Sequence, residues 1–435
     1  MVAWFTVASL FIAYIFSFID RMIIGLLVEP MKADLEISDT QISLLQGLAF
    51  AVFYTIAGIP IARLIDRATR VRIVSTGIAV WSLMTMVCGL SQQYWHLFLA
   101  RIGVGIGEAT LSPAAYSIIS DSFSPRRLGV AMGVYVLGSS VGAGLAFLIG
   151  AVVIALISST GEVVVPFLGP VRAWQAAFLY VGAPGLLISL LFVFIPEPAR
   201  RLTGKSAHVA ATTLEVWRFS RANARSLLGI CIGVGLVNMA AFAAISWLPV
   251  LYMRAHGFEL AEAGYMAGAA LIVGGMIGLL GGGWICDRLG GTPRDRVRVS
   301  AWAVAIGIAA GVTFPLVSSA TLSAALFVLF FSACSVPAGS AVSAIQQIVP
   351  NDMRATVSAV YLFFVSIIGM TLGPTATAMI GDIYFPGGDG IRYAVSIVAG
   401  LGMAVATGLL LLAGSVLKRP VNDPRSPLPE AGSPS

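Results

Sequence analysis

The segment FSFIDRMIIGLLV (residues 16–28) places Asp20 and Arg21 inside a long apolar run. A second segment, LFLARIGVGIGEATLSPAAYSII, holds Arg101 and Glu108 in the same setting. A hydrocarbon core about 30 Å thick is crossed by a helix of about 20 apolar residues, and both runs are that long. Charged side chains at such depth usually face a protein interior or a water-filled path and mark substrate or ion traffic. The two segments therefore predict a membrane-spanning protein with a charged centre.

The composition of the whole chain agrees with this interpretation. The chain has 435 residues, of which 58% are hydrophobic and 11% are charged, whereas a soluble domain carries about 25% charged residues. Continuous apolar runs, unlike the alternating segments of an outer-membrane barrel, predict helices. The predicted fold class is an all-α integral membrane protein with twelve transmembrane helices in two six-helix bundles. The predicted spans lie near 4–30, 41–65, 72–91, 95–121, 128–157, 173–195, 225–253, 262–286, 298–318, 320–348, 355–381 and 391–417.

A polar stretch in the middle of the chain sets the predicted domain boundaries. Residues 196–223 form a linker between an N-terminal bundle, 1–195, and a C-terminal bundle, 224–417. Within the linker, the sequence LEVWRFSRANAR predicts a short interfacial helix, with apolar side chains near lipid and arginines in water. Residues 418–435 read as a disordered tail.

Basic residues predict the orientation in the membrane. Of the 26 lysines and arginines, twenty lie on the connections of one side or on the tail, and four lie on the other side: Lys32, Arg172, Arg254 and Arg392. The positive-inside rule makes the first side cytoplasmic, together with both termini. The net charge of +6 then needs no nucleic-acid partner.

Signals for cofactors and enzymatic chemistry are missing from the sequence. The four cysteines are scattered through apolar runs without a CxxC or Cys/His cluster, so neither a disulfide framework nor a zinc site is expected. The match to GxSxG at 138–142 lies in an apolar helix, where that motif lacks its strand–turn–helix context. We therefore expect no cofactor, no metal and no enzyme activity.

An internal sequence repeat also divides the chain into two halves. ARLIDRATRVR follows the second span and contains Asp66 and Arg67, and GGWICDRLGG follows the eighth and contains Asp287 and Arg288. Paired repeats that meet at a central site are common in secondary transporters.

The Asp-Arg loop, the RIGVGIGEA stretch and the six-plus-six layout together resemble the major facilitator superfamily. More narrowly, segments 16–50 and 100–121 resemble the spinster group, whose animal members move sphingosine-1-phosphate or lysophospholipids. The resemblance implies a bacterial homologue in the inner membrane that works by alternating access. Ala62 and Thr69 replace glycines of the family's loop motif, which predicts a less tightly packed first loop.

A pairing of Arg21 with Glu108 follows from depth along the predicted helices. At about 1.5 Å per residue, Arg21 lies roughly 15 Å and Glu108 roughly 20 Å from the outer ends of their spans. In the resembling fold, both helices line the central cavity. Neighbouring helix residues point about 100° apart, so Asp20 and Arg21 are expected to face different surroundings.

The predicted chemistry is proton coupling. Arginine stays charged, whereas the protonation of a buried carboxyl depends on whether a cation lies beside it. Glu108, with Asp20 as a second candidate, is therefore predicted to couple proton binding to substrate binding, and a static ion pair is the alternative. Protonation of Glu108 would free Arg21 to hold an anionic head group. The predicted substrate-binding residues are Arg21, Glu108, Tyr54, Tyr116 and Asn238.

Two further predictions concern arginines and the cytoplasmic loops. Arg101 is interpreted either as a structural arginine that satisfies backbone carbonyls or as a site residue. The resemblance implies a cytoplasmic gate at Asp66, Arg72 and Asp121, in which basic residues of the loop pair with the acid of the fourth helix. The full predicted gate is Asp66, Arg67, Arg70, Arg72 and Asp121, with Asp287 and Arg288 as a weaker echo.

The spans of the C-terminal bundle carry no Asp, Glu, Lys or Arg in their interiors, and their polar groups include Asn238, Gln346 and Gln347. A cavity charged on one wall and apolar on the other suits an amphiphile. The predicted function is proton-coupled transport of an amphiphilic, anionic lipid by a monomer surrounded by membrane lipids. The alternative is a transporter of a small organic anion or drug-like molecule.

Overall fold

A computed structural model describes residues 2–123, 125–158, 162–165, 169–199, 213–289, 291–350, 353–386 and 389–417. Residues 200–212 of the predicted linker and the predicted tail, 418–435, lie outside these ranges. The side chains of Asp66 and Asp287 also lie outside the described part of the structure, although their backbones belong to helices.

The first half of the chain forms eight helices and one β-hairpin. They are α1 (Val2–Leu35), α2 (Asp39–Gln46), α3 (Leu48–Arg67), α4 (Arg70–Gly89), α5 (Tyr94–Glu108), α6 (Leu111–Ser122), α7 (Pro125–Ser158), β1 (Glu162–Val165), β2 (Gly169–Arg172) and α8 (Ala173–Val193). The strands pair antiparallel, with Glu162 opposite Arg172.

In the second half, all the regular elements of the described residues are helices. Its elements are α9 (Thr213–Ala222), α10 (Ala224–His256), α11 (Leu260–Arg288), α12 (Pro293–Thr313), α13 (Ala320–Ile348), α14 (Arg354–Ser366), a π-helical segment (Ile367–Leu372), α15 (Gly373–Tyr384) and α16 (Gly390–Val416). The predicted interfacial helix of the linker corresponds to α9.

Twelve membrane helices result, which confirms the predicted fold class. Eleven helical stretches of the described residues are long and apolar enough to cross a membrane. The twelfth span consists of α5 and α6, which are separated at Ala109 and Thr110. Two other spans are also built from pieces: α2 with α3, and α14 with the π-helical segment and α15.

Caps and glycines explain several of the helix boundaries. Ser38 and Gln41 form a capping box, each side chain accepting a hydrogen bond from the other's backbone N–H. Gly47 interrupts the second span with φ −100° and ψ −77°. Gly257 ends α10 in the left-handed region, at φ 68°, where glycine has no steric penalty.

Small residues let the helices of the two bundles meet. A Cβ added to Gly268 of α11 would lie 2.6 Å from the carbonyl oxygen of Gly144 in α7, so these helices touch backbone to backbone. On α1, a Cβ at Gly25 would lie 3.0 Å from the carbonyl oxygen of Ser246 in α10. On the second span, a Cβ at Gly47 would lie 2.8 Å from the carbonyl oxygen of Met370, in the π-helical segment.

The bundle has two ends, which are named here for the chain termini. Val2 begins α1 and Val416 ends α16, and twelve crossings put both residues at one end, the terminal end. The turn at Gly257 lies at the other end, the opposite end. Gly25 lies between Arg21 and the opposite end, so the contact of α1 with α10 covers the centre of the bundle from that side.

Candidate functional site

Arg21 of α1 and Glu108 of α5 form an ion pair at the centre of the bundle. The Arg21 Nε donates to Glu108 Oε2 at 2.7 Å, and a terminal guanidinium nitrogen lies 2.6 Å from the same oxygen. The Ser17 hydroxyl donates to that oxygen too, at 2.5 Å. The side chains of Arg21 and Glu108 are 8% and 0% exposed. The predicted contact between the first and fourth spans is therefore present.

The two carboxylate oxygens of Glu108 have different surroundings. Oε2 receives all three donors from Arg21 and Ser17. Oε1 is buried and has no hydrogen-bond partner among the described residues. A buried carboxylate oxygen without a donor is costly, and it is the atom on which a proton can be added without first breaking a hydrogen bond.

Three aromatic rings surround the Arg21 guanidinium. Its central carbon lies 4.9 Å from the ring centroid of Phe18, 4.5 Å from that of Phe50 and 5.0 Å from that of Tyr54. Guanidinium groups within about 6 Å of a ring centroid gain cation–π stabilisation. Arg21 is thus held in place by rings as well as by a carboxylate, and Tyr54 lies at the predicted site.

Asp20 and Arg101 form a second, more deeply buried pair. Arg101 donates to the Asp20 carboxylate at 3.3 Å and to its backbone carbonyl at 3.4 Å. The Thr85 hydroxyl of α4 donates to the other carboxylate oxygen. Asp20 is 3% exposed and Arg101 is 0% exposed. Neither predicted interpretation of Arg101 included a carboxylate partner, because residue spacing within one helix does not identify which side chains of other helices it meets.

Phe50 lies between the two pairs. Its ring centroid is 5.5 Å from the Arg101 guanidinium carbon and 4.5 Å from that of Arg21. A Cβ added to Gly105 would lie 2.7 Å from the Phe50 carbonyl oxygen. Gly105, in the RIGVGIGEA stretch, therefore lets α5 approach α3 closely enough for Phe50 to contact both guanidinium groups.

A cavity lies between the bundles beside Arg21. The first bundle contributes Arg21 and Gln46 to its lining, and the second contributes Phe242, Ser246 and Met370. Both side-chain amide atoms of Gln46 lack a hydrogen-bond partner among the described residues. The charged group of the cavity thus lies on one wall, and the facing wall is mostly apolar.

An aromatic row leads from the ion pair toward the terminal end. Tyr14 packs edge to face on Phe18 at 5.1 Å and stacks on Tyr135 at 4.5 Å. Tyr116 packs edge to face on Tyr135 at 5.6 Å and is 39% exposed. Of the predicted residues, Tyr116 lies in this row rather than at the pair.

Asn238, another predicted substrate-binding residue, lies beside the π-helical segment. It lies on α10 and donates its side-chain amide to the Val234 carbonyl at 3.0 Å. A Cβ added to Gly369 would lie 2.8 Å from the Asn238 Cβ. Asn238 therefore packs against the π-helical segment. The prediction missed Ser17, Phe50 and the other rings because serine and phenylalanine are common throughout apolar spans.

At the terminal end, Arg70 occupies the position predicted for Arg72. Arg70 is buried and forms ion pairs with Asp121 of α6 and, at 2.7 Å, with Glu197. It also donates to the Pro198 carbonyl at 2.8 Å. Arg72 is exposed. The predicted Arg72–Asp121 pairing was wrong because residues two apart on a helix point to opposite sides.

The other predicted members of this gate are dispersed. Arg67 is exposed. Arg288 stacks over the ring of Trp284 at 4.0 Å. The side chains of Asp66 and Asp287 lie outside the described residues. Among the described residues, the partners of Arg70 all belong to the first bundle or to the residues just after it.

The opposite end holds a charged cluster that the sequence did not predict. Arg254 of α10 donates to Glu29 at 2.8 Å and to both carboxylate oxygens of Asp39 at 2.7 and 3.0 Å. Lys32 lies 2.5 Å from Asp39. The pairs made by Arg254 join the bundles. Charges at span ends are common, so residue spacing alone does not indicate that these would meet.

A second contact lies beside this cluster. Thr40 of α2 donates its hydroxyl to Asp382 of α15 at 2.7 Å and its backbone N–H to the same oxygen at 3.2 Å. Together with the approach of Gly25 to α10, it closes the space between the bundles on the side of the opposite end.

Comparison with known proteins identifies the family. Residues 10–374 match the sequence profile of the Major Facilitator Superfamily. The chain is 30% identical over 381 residues to an "MFS-type efflux pump" of Mycolicibacterium smegmatis, covering 87% of this chain and 85% of that protein. It is 24% identical over 432 residues to a "Probable L-galactonate transporter" of Escherichia coli, covering 96% of this chain and 89% of the relative.

Solved structures agree with this family. A crystal structure of a bacterial homologue of the human lysosomal transporter spinster, in an inward-facing and unoccupied conformation, superposes with a TM-score of 0.78. The two chains are 28% identical, and the match covers 95% of this chain and 96% of the other. The chain therefore belongs to the major facilitator superfamily and resembles its spinster group. It is a multi-pass membrane transporter and not an enzyme.

Proposed function

We propose that this protein is a proton-coupled secondary transporter of an amphiphilic anion. The observation that supports this proposal is the Arg21–Glu108 pair, which lies beside the cavity with one carboxylate oxygen fully bonded and the other without a donor. A cation that a single proton can release from its carboxylate is suited to couple proton binding to anion binding.

The coupling step uses the two oxygens of Glu108 in different ways. While Glu108 is ionised, its Oε2 neutralises Arg21. A proton that enters through the cavity and binds Oε1 removes the negative charge but leaves Arg21 between its rings. Arginine does not lose its proton under these conditions, so its charge becomes available to a phosphate or carboxylate of the substrate. Deprotonation restores the pair and releases the anion.

The cavity is small, about 10 Å³, and its two walls differ in polarity in the way that suits an amphiphilic substrate. The polar head would contact Arg21, and the hydrocarbon part would lie against Phe242 and Met370 of the second bundle. The aromatic row from Tyr14 to Tyr116 extends from the pair toward the terminal end, and it would give a hydrocarbon chain apolar surface to pack on once the bundles separate.

Alternating access follows from the positions of the contacts. We assign the terminal end to the cytoplasm of a bacterium, since the basic connections lie there, and the opposite end to the outer face of the inner membrane. The Arg254 cluster then holds the outer side closed while the cavity is reached from the cytoplasm. In this proposal, 1–195 and 224–417 rock as two bodies joined by 196–223, within one monomer.

A second candidate is a transporter of a small organic anion or a drug-like molecule. The unpartnered amide of Gln46 beside Arg21 favours it, because a sugar acid has hydroxyls to pair with that amide and a hydrocarbon chain does not. The similarity to an efflux pump and to an L-galactonate transporter points the same way.

Reconstituted vesicles with an imposed pH gradient distinguish the two candidates. We expect gradient-driven movement of a lysophospholipid or a sphingoid phosphate and no movement of galactonate. Glu262→Gln is the matched control, because Glu262 is an exposed acid at the start of α11, far from the cavity. If the protein transports galactonate and excess lysophospholipid does not inhibit that transport, the second candidate function replaces the first.

A further inference from the structure

The linker helix α9 has one face packed on the protein and one face open. Val216 and Phe219 pack against the core of the bundle. Leu214 and Trp217 are 54% and 56% exposed. An exposed tryptophan beside an exposed leucine is typical of a helix that lies at a membrane surface with its apolar side chains in the headgroup region.

Three exposed arginines accompany this open face. Arg218 and Arg221 lie on α9, and Arg225 lies in the first turn of α10. The guanidinium carbon of Arg221 lies 5.2 Å from the ring of Trp217. With Glu215 as the acid of this stretch, residues 213–225 have a net charge of +2.

The lengths of the neighbouring helices place these arginines outside the hydrocarbon region. Counted from the turn at Gly257, Arg225 is about 46 Å along α10, and Arg288 is about 42 Å along α11. A hydrocarbon core is about 30 Å thick, with about 5–8 Å of headgroups on each side. Arg288 makes the same kind of arginine–tryptophan contact as Arg221, since it stacks on Trp284, which is 57% exposed.

We propose that α9 and the start of α10 bind the headgroups of anionic phospholipids in the leaflet at the terminal end. Arg218, Arg221 and Arg225 would hold the headgroup phosphates, for which the fork of a guanidinium is well suited. Trp217 would lie among the upper acyl carbons, since tryptophan prefers the membrane interface. A zwitterionic lipid has no net charge to attract the arginines, so the site discriminates by the charge of the headgroup.

The expected preference follows from the number of arginines. Each basic residue near an anionic surface strengthens binding about fivefold, so three together give on the order of 100-fold. The site does not depend on which molecule the central cavity transports.

Native mass spectrometry of the full-length protein tests the proposal. The protein is equilibrated in mixed detergent micelles with phosphatidylglycerol and phosphatidylcholine of identical acyl chains, and the lipids retained per protein are counted. We expect the wild type to retain phosphatidylglycerol preferentially and R218Q/R221Q/R225Q to lose that preference. The charge-keeping control R218K/R221K/R225K should keep most of it, and Trp217→Ser should reduce retention of both lipids.

Three results would overturn the proposal: equal retention of the two lipids by the wild type, an unchanged preference in the glutamine variant, or equal loss in the lysine variant. If the triple variant does not fold, the three single arginine-to-glutamine variants carry the same comparison, with an expected decrease of about fivefold each. Inorganic phosphate added in excess should not displace the lipid. If it does, the site binds free anions instead.

Discussion

Two arginine–carboxylate clusters differ in what they connect. Arg21 and Glu108 belong to the same bundle, are almost fully buried and lie beside the cavity. Arg254 joins the second bundle to Glu29 and Asp39 of the first, at the opposite end, with side-chain exposures of 16%, 35% and 7%. Their distances are similar, between 2.6 and 3.0 Å.

In the mechanism proposed above, this difference separates sensing of a proton or substrate from gating of the opposite end. A pair within one bundle can respond to a proton or a substrate while the bundles stay still. A pair between bundles has to break whenever the opposite end opens. Their free energies also differ in kind: an ion pair partly open to water, such as Arg254–Glu29 with side chains 16% and 35% exposed, contributes up to about 1 kcal/mol, whereas removal of one partner from a buried pair costs about 3–5 kcal/mol.

The largest effect is expected for Glu108→Gln, which removes the titrating group of the buried pair and keeps its shape. Proton-driven transport should fall to the level of empty vesicles, because no group remains to exchange a proton against the Arg21 charge. Flux into vesicles at several external pH values measures this, with Glu262→Gln as the control acid. If transport by Glu108→Gln keeps the wild-type pH dependence, the Arg21–Glu108 pair is a static structural contact.

A smaller effect is expected for Arg21→Lys, which retains the charge but loses the planar stack on Phe18, Phe50 and Tyr54. Three ring contacts of roughly 0.5–1 kcal/mol each predict binding of the anionic substrate that is about 30-fold weaker. Equilibrium binding of a radiolabelled substrate measures it. Arg392→Lys, at the opposite end, serves as the matched control, and equal affinities in both variants would contradict the role given to Arg21.

Arg254→Gln tests the other cluster. Loss of its two carboxylate contacts, worth up to about 1 kcal/mol each, should shift the balance toward an open opposite end by roughly tenfold. Spin labels at Glu36 and Glu259, on the two bundles, should report a longer distance. Arg392→Gln is the control, since Arg392 donates to the Pro315 and Leu316 carbonyls of its own bundle. A distance distribution that stays the same would show that this cluster does not hold the end closed.

The smallest effect is expected for Phe50→Leu compared with Phe18→Leu. Both changes replace a ring by a smaller apolar side chain, but Phe50 contacts two guanidinium groups and Phe18 contacts one. The additional cation–π contact predicts about 0.5–1 kcal/mol more destabilisation for Phe50→Leu. Thermal unfolding in detergent compares the variants, and a larger loss for Phe18→Leu would argue against Phe50 as the link between the pairs.

The sequence predicted what depends on position along a helix. Apolar runs gave the twelve spans, and the rise per residue put Arg21 and Glu108 at one depth. It could not predict which neighbour each side chain meets. Asp20 contacts Arg101 and Thr85. Arg70, and not Arg72, pairs with Asp121. Arg254 forms ion pairs with the first bundle. These contacts depend on the rotation of each helix and on how the bundles close, which residue spacing within one helix does not specify.

Gly47 and the π-helical segment at 367–372 have a consequence for evolution and engineering. At this joint two irregular helices of different bundles touch through their main chains, and a methyl group at position 47 would lie 2.8 Å from the Met370 carbonyl oxygen. A side chain at this position would force the two bundles apart where their main chains touch. Libraries that vary the cavity lining to change cargo should therefore leave this position untouched, although it contacts no charged group of the site.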